Sequence, residues 1–403
     1  MKNILNFIFS KKDEGIYRTY RIFGIKIITK PIRLKLDMIE SIMFDIKNYT
    51  LNKLNNDYTR YCNILSDIIL YKDKPKIFYL QTPEHCNIGD LAIAYFSRKF
   101  LNDIFPNNII LEYTYNDILG ANNLIQKFIN SKDIIFLHGG GNLGNLYLNE
   151  EILRREIIKY YRKNRIIILP QSIYWTEDEE GEKELEISKR IYSSHNNLTI
   201  FARDKKSYKF AKEYFYNNKV FLMPDIVLYK QNINNHTDLI KRKDVIFLLR
   251  KDKEKIINDN IINSMKDYIN YIGSNYDISD THLQEDINIS ISERESYIFN
   301  ILYKLLNYKL CVTDRFHGVI FSYLTNTPCI VFNSLDHKIE YGVKWFENVE
   351  WIYKADINDF NKIKEFINKY LNENNIIEKD IDFNKKIKDI FIEAIGKEII
   401  DNF

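Results

Sequence analysis

From residue 75 onward, short apolar runs alternate with longer amphipathic stretches, and this alternation restricts the fold more than any other feature of the chain. KIFYLQ (76–81), NIILEY (108–113), the start of DIIFLHGGGN (133–142), RIIILPQS (165–172), LTIFARD (198–204) and VFLMPD (220–225) read as buried strands. Helical spacing follows from about residue 90, at 147–163, at 181–194 and in KSYKFAKEYF. Strands that are apolar throughout and separated by helices build parallel sheets covered on both faces. A second series begins after the polar stretch YKQNINNHTD (229–238). It runs through VIFLLR (245–250), NYDISD (275–280, a short strand or loop), the amphipathic SERESYIFNILYKLLN, KLCVTDRFHG (309–318) and PCIVFN (328–333). The tail, 355–403, reads as helices rich in Lys and Glu.

The expected fold is therefore α/β, with two Rossmann-like domains facing across a cleft in a glycosyltransferase-B-like arrangement. An N-terminal extension (1–70, a basic leader plus helices) precedes a first domain at 71–228 and a second at 229–403 that carries the helical tail. A chain of 403 residues is long for one core, and 45% hydrophobic with 28% charged residues marks a globular protein. Four cysteines without a C-x-x-C pair argue against a zinc site or a disulfide framework and suit a reducing cytoplasm. No uncharged apolar run reaches membrane-spanning length, and the start MKNILNFIFSKKDEG makes a poor signal peptide.

Charge is uneven. Residues 1–36 hold nine Lys/Arg and two Asp/Glu, or +7, so with +3 overall the remainder sums to −4 (3 − 7). A basic, Ile/Phe-rich leader suits an anionic membrane surface, and the alternative is a solvated arm or an added strand pair. Alternating apolar residues around Gly24 suggest a small hairpin within Ile16–Ile32, and 36–70 has helical spacing. No nucleic-acid partner is expected.

Four clusters stand at strand ends. In His85-Cys86-Asn87-Ile88-Gly89-Asp90, Gly89 permits a tight turn, Asp90 is a plausible N-cap, and the helix start offers N–H groups to an anion. An ordinary strand-to-helix turn is the alternative. In His138-Gly139-Gly140-Gly141-Asn142, consecutive glycines let backbone N–H groups approach a ligand. This is not a P-loop, and the G-x-G-x-x-G spacing of Gly139, Gly141 and Gly144 lacks the ribose-binding acid. In Ala202-Arg203-Asp204 with Ser207, Arg203 can clamp a carboxylate or phosphate, or else form a surface salt bridge, and Asp204 reads as an N-cap. In Thr313-Asp314-Arg315-Phe316-His317-Gly318, a cation and an imidazole two residues apart can converge on one anion, with a structural histidine as the alternative. Asn333, Asp336, His337 and Lys338, with Gly342 near, should rim the same cleft and orient donor or acceptor. His195, His236 and His282 read as surface or loop residues, and Asp380-Ile381-Asp382 in the tail is a poor metal–nucleotide site. No metal is required.

Taken together, N-I-G-D (87–90), H-G-G-G-N (138–142), L-P-Q-S (169–172), A-R-D-x-x-S (202–207), M-P-D (223–225) and D-R-F-H-G (314–318) resemble the polysaccharide pyruvyl transferase family across about residues 76–340. The resemblance implies a glycosyltransferase-B-like fold, phosphoenolpyruvate as donor and a ketal product in which one pyruvate bridges two sugar hydroxyls. It matches Arg203, Arg315 and His317 to basic residues for donor binding and catalysis, and Gly139, Gly140 and Gly141 to a ligand loop. Arginines suit the donor's carboxylate and phosphate, and His317 suits a general acid or base. His138 is a second acid/base candidate and Asp90 an acceptor-side base. No cofactor is implied. The acceptor is a saccharide, lipid-linked or nucleotide-linked, and the location is cytoplasmic, with peripheral membrane contact through 1–36 as an option. Two other readings stand beside this one. A nucleotide-sugar glycosyltransferase gains from the FGIKI leader, similar to that of surface-glycan glycosyltransferases, and loses because no E-x-x-x-E or D-x-D sits at the cleft. A non-catalytic partner in glycan assembly would lack the intact Arg/His set.

Overall fold

The computed structural model describes residues 9–14, 17–29, 58–229, 241–252, 255–283, 287–334, 337–372 and 381–403. The chain divides into two compact units, Met1–Ser66 and Asp67–Phe403. Most of the expected 36–70 helices, the 230–240 part of the polar stretch, His236, Asp336 and Asp380 lie outside the described residues.

In the first unit, β1 (Phe9–Glu14), β2 (Tyr17–Ile22) and β3 (Ile25–Thr29) form an antiparallel sheet. The hairpin expected around Gly24 is present, and Phe23 and Gly24 take φ of 47° and 79°. Two successive positive φ values are what a two-residue turn needs to follow the strand twist.

In the second unit, the described residues form two parallel sheets. The first runs in the order β10–β9–β8–β6–β4–β5, with a short β7 beside β8. Its strands are β4 (Lys76–Thr82), β5 (Ile109–Thr114), β6 (Ile134–Leu137), β7 (Gly140–Gly144), β8 (Arg165–Tyr174), β9 (Leu198–Ala202) and β10 (Lys219–Leu222). The second runs β12–β11–β13–β14–β15, from β11 (Lys243–Leu248), β12 (Tyr276–Ser279), β13 (Tyr308–Thr313), β14 (Cys329–Val331) and β15 (Ile352–Lys354). Every residue of β4, β6 and β9 is buried, as strands covered on both faces require. This is the two-sheet, glycosyltransferase-B-like α/β fold with an N-terminal extension and a helical C-terminal segment. The expected strand at 220–225 is shorter and shifted, ending at Leu222, because Pro224 cannot donate to the ladder.

Chain order reverses between β4 and β6 in one sheet and between β11 and β13 in the other. Such switch points leave crevices beyond the strands' carboxyl ends, and loops there are free to bind ligands. The loops leaving these four strands are 83–87, 138–139, 249–258 and 314–315, so three of the four motif clusters are placed by topology alone.

Helix α1 (Ile88–Ile104) follows β4, α2 (Leu148–Tyr160) follows β7, α3 (Glu179–Ser193) follows β8, and α4 (Lys205–Tyr214) follows β9. In the second half α5 (Arg294–Leu306) precedes β13, α6 (Phe316–Leu324) follows it, and the short α7 (Lys338–Gly342) follows β14. The tail's α8 (Phe383–Ile395) crosses back. Its Phe383 packs on Tyr323 and Phe346 of the second half, while Phe391 lies among Phe100, Phe105, Phe136 and Phe201 of the first. No helix among the described residues is long and apolar enough to cross a membrane.

Candidate active site

The two crevices join into one cleft of about 420 Å³. From the first half come His85, Asn87, Asp90, Gly141, Asn142, Tyr147, Glu150 and Arg203. From the second come Arg250, Asp252, Thr281, His282, Asp314, Arg315, Phe316, His317 and Lys338.

The motifs lock together physically. Asn87, not Asp90, caps α1: its Oδ1 accepts from Gly89 N at 3.0 Å, and its Nδ2 donates to Asp90 Oδ2 at 2.8 Å. Asp90 sits one turn further in, where its carboxylate meets His85 Nε2 at 3.7 Å. Burial alone would raise the Asp90 pKa, but His85, His317, His138 and Arg203 hold it below the ordinary carboxylate range. Gly89 is glycine for a reason the sequence hid: a Cβ there would stand 2.2 Å from His317 Nδ1. Gly141 does the same for the opposite wall, where a Cβ would meet Lys338 Cε at 2.6 Å and Arg203 Nη2 at 2.9 Å.

Arg203 leaves β9 fully enclosed. Its Nε donates to Ser172 Oγ at 2.9 Å, and Nη1 pairs with Asp225 at 2.8 Å. Its guanidinium lies 5.0 Å from the Phe316 ring. The salt-bridge alternative for Arg203 is thus real but buried, and Nη2 still faces Gly141 and the cleft. Asp204 is the N-cap expected, accepting from Ser207 N at 2.8 Å. Asp225 also faces His317 Nε2 at 3.6 Å, an ion-pair rather than a hydrogen-bond separation. Burial opposes its ionisation, yet His317 and Arg203 hold the Asp225 carboxyl far below its usual range.

Arg315 is gripped from two sides. Nε and Nη2 form a fork onto Asp280 at 2.9 and 2.8 Å, and Nη1 meets Asp252 Oδ2 at 2.8 Å. The other oxygen of Asp252 lies 3.0 Å from Arg250 Nε, so this exposed carboxylate bridges two guanidiniums. Asp314 beside them accepts from Arg250 N at 2.9 Å, and burial raises its pKa to about 6 against the opposing arginines.

Other expected residues fall differently. His138 is buried behind the cleft, its Nδ1 2.8 Å from Tyr79 Oη, and burial lowers its pKa to about 3. A neutral, enclosed imidazole anchors the glycine loop and does not line the cleft. Gly139 packs under Pro170 O, and Gly140 takes φ +121°, so both shape the loop while Gly141 and Asn142 form its exposed face. Asn142 Oδ1 accepts from Arg154 Nη2 at 2.7 Å and Gln171 Nε2 at 3.1 Å. Asn333 is exposed on a separate cavity with Phe332, Lys354 and Asp356, away from the cleft. His337 is buried between the Tyr174 and Tyr341 rings and begins α7, leaving Lys338 as the rim residue that reaches the cleft, its Nζ 5.7 Å from the Tyr147 ring. His195, expected at the surface, is buried against Tyr161 O, and His282, expected to be plain loop, lines the cleft through a bridge with Asn87. Tyr147, Glu150, Arg250, Asp252 and Asp280 escaped sequence reasoning. Arg250 alone carried a signal, as a cation ending a buried strand like Arg203.

A family model described as polysaccharide pyruvyl transferase matches residues 87–337. The chain is 35% identical to General stress protein 30 of Bacillus subtilis (strain 168), over 78% of this chain and 91% of that one. It is 27% identical to Pyruvyl transferase 1 of Schizosaccharomyces pombe (strain 972 / ATCC 24843), over 64% of this chain and 65% of that one. Among solved structures, KP1_0663 of Klebsiella pneumoniae subsp. pneumoniae NTUH-K2044 superimposes with a TM-score of 0.51 over 75% of this chain and 98% of that one; at 18% identity the likeness is one of fold.

Proposed function

The chain belongs to the polysaccharide pyruvyl transferase family, and on that premise we propose that its cleft takes phosphoenolpyruvate as donor and forms a pyruvate ketal on a sugar of a cell-surface polysaccharide or its precursor. The observation that carries this reading is the Asp252 carboxylate bridging Arg250 and Arg315. A two-oxygen anion already sits between those two guanidiniums, and the donor's carboxylate has the same planar shape while its phosphate presents the same anionic oxygens. Arg203 Nη2, across the cleft, supplies a second cationic contact for a donor that is anionic at both ends. Residues 71–228 and 229–403 act on this reading as the two halves of one catalytic unit.

Protonation of the donor's methylene carbon makes C2 electrophilic, and a sugar hydroxyl adds there. His317, two residues beyond Arg315 on the cleft wall, serves as the acid or base, with the Asp225 carboxylate 3.6 Å from its Nε2. Arg203 and Arg315 neutralise the charge on phosphate and carboxylate as the bond to phosphate breaks.

Phosphoenolpyruvate should raise the melting temperature of the purified protein by mass action; at a hundred times Kd the stabilisation is about 2.7 kcal/mol. Arg203→Ala and Arg315→Ala should each abolish the shift. A shift with one nucleotide sugar and none with phosphoenolpyruvate would replace this reading by glycosyl transfer.

The location proposed is cytoplasmic, with the first unit resting on the anionic inner face of the membrane. In β1–β3, Phe9, Ile22, Ile25 and Ile27 share one exposed face by register, Phe23 projects from the turn 66% exposed, and the paired Arg21 and Lys26 lie just behind it. An apolar tip with a cationic collar suits a lipid headgroup surface. Binding to phosphatidylserine-containing vesicles should fall on Phe23→Ala with Ile25→Ala. Equal binding by this variant and by the unaltered protein would remove the membrane contact from the account.

A further inference from the structure

Two carboxyl groups of the first half face the cleft, and their surroundings pull them apart. Asp90 is held ionised by its basic neighbours and by the Asn87 amide. Glu150 is the opposite case. It sits in the first turn of α2, its backbone carbonyl held by Gln81 Nε2 at 3.0 Å, and its Oε2 is buried with no hydrogen-bond partner among the described residues. Gln81 itself is kept at φ 64° at the end of β4, a left-handed conformation that costs a non-glycine residue free energy and that the packing nonetheless enforces. The titratable groups facing Glu150 are Arg154 from its own helix, Asp90 from α1 and the Tyr115 hydroxyl from the segment after β5, with Lys338 of α7 held over the neighbouring Tyr147 ring. Burial raises the Glu150 pKa to about 7; Arg154 opposes this and the Asp90 charge adds to it. Two nearby carboxyls with separated pKa values mark a division between a fixed charge and a proton carrier.

We propose that Glu150 is the acceptor-side proton carrier: its carboxylate takes the proton of a sugar hydroxyl as that oxygen bonds to C2 of the enolpyruvyl group, with the exposed Tyr147 ring beside it as the face on which the sugar lies. Glu150 therefore takes the role that Asp90 was expected to fill. The inference rests on the pyruvyl-transfer reading above. The proton balance closes as follows. Ketal formation makes two C–O bonds at C2, breaks the bond from C2 to the phosphate oxygen, and removes two hydroxyl protons from the sugar. One proton equivalent ends on the methylene carbon, which becomes methyl, and the other leaves on phosphate. Glu150 takes the proton of the first hydroxyl and gives it to the departing phosphate. His317 protonates the methylene carbon and regains a proton from the second hydroxyl as that oxygen closes the ketal, so both groups end as they began.

Tyr147 is 46% exposed and one turn before Glu150, so an apolar ring face and a carboxyl present themselves together, as saccharide sites require. The Arg250–Asp252–Arg315 cluster, by contrast, comes wholly from the second half. The donor is thereby held between this cluster and Arg203 of the first half, while the carboxyl and ring that receive the sugar come from the first half alone.

The test measures phosphate released from phosphoenolpyruvate by the full-length protein, using the methyl glycosides of glucose, galactose, mannose and N-acetylglucosamine as acceptors, from about pH 5 to about pH 9. In the unaltered protein the rate should fall as pH drops through the Glu150 pKa, because the carboxyl must be ionised to accept a proton. Glu150→Gln should lower kcat by about 100-fold or more, flatten that acidic limb and leave the phosphoenolpyruvate-induced melting shift intact. Glu150→Ala should recover part of its rate on addition of formate or azide, which a structural role would not allow. A Glu150→Gln variant with unchanged kcat and an unchanged acidic limb overturns the proposal while leaving pyruvyl transfer standing. An unaltered protein that phosphoenolpyruvate neither stabilises nor yields phosphate from overturns the donor reading, and this assignment with it.

Discussion

Glu151→Ala is expected to destabilise the protein by about 3–5 kcal/mol, the range found when one member of a buried ion cluster is removed. The Glu151 side chain is fully enclosed on α2. Its two oxygens accept from Arg154 Nη1 at 2.6 Å, Arg155 Nε at 3.4 Å, Ser188 Oγ at 2.5 Å and Tyr192 Oη at 2.9 and 3.1 Å. Ser188 and Tyr192 belong to α3, so one carboxylate ties two helices together. An alanine would leave two buried guanidiniums without their shared counter-charge, and neither can lose its proton. Arg155 would keep Glu184 at 2.5 Å; Arg154 would keep its hydrogen bond to Asn142 and the neighbouring Glu150 carboxyl, whose own ionisation burial opposes. The denaturation midpoint in urea measures the loss, and a shift worth less than about 1 kcal/mol would contradict it. The consequence reaches the cleft, because Arg154 also holds the Asn142 carbonyl and side chain. Glycine gives the 139–141 loop its shape, and the Glu151 cluster keeps Asn142, the residue after it, in place.

Phe391→Ala should cost a similar amount, about 3–5 kcal/mol, through the lost transfer free energy of a large ring and the cavity left behind. Phe391 is fully buried in α8, its ring nearly parallel to Phe136 and Phe201 at 6.2 and 5.8 Å and edge-on to Phe100 at 4.9 Å. The other end of α8 is held by Phe383 against Tyr323 and Phe346. One helix thus spans both halves of the cleft, and loosening one end frees them to shift against each other. Because His317 from one half packs on Gly89 from the other, the variant should lose donor-induced stabilisation as well as stability. An intact melting shift with phosphoenolpyruvate in a destabilised Phe391→Ala protein would separate the two effects and refute the coupling. Phe383→Ala provides the reciprocal test from the other end of the helix.

The sequence alone determined the sheets, because strands buried on both faces are apolar at every position and cannot be confused with their helices: KIFYLQ, RIIILPQS and LTIFARD are β4, β8 and β9 almost residue for residue. It also determined where ligands should gather, since glycine, asparagine and charged residues at strand ends have no packing role in a core, and it determined the hairpin at Gly24 from alternation and turn chemistry. Tertiary structure decided what each of those residues touches. Glycine at 89 looks like turn chemistry until His317 is laid against it, and Asn87 rather than Asp90 proves to be the cap because only a side chain just outside the helix can reach the Gly89 N–H. His138 and His337 read as ligand residues but are enclosed, while His282, Arg250 and Asp252 become cleft residues through contacts made across long stretches of chain. The crossing of α8 back to the first sheet was hidden for the same reason. Local periodicity records which face of a helix is apolar, and only the assembled core decides which apolar surface that face will meet.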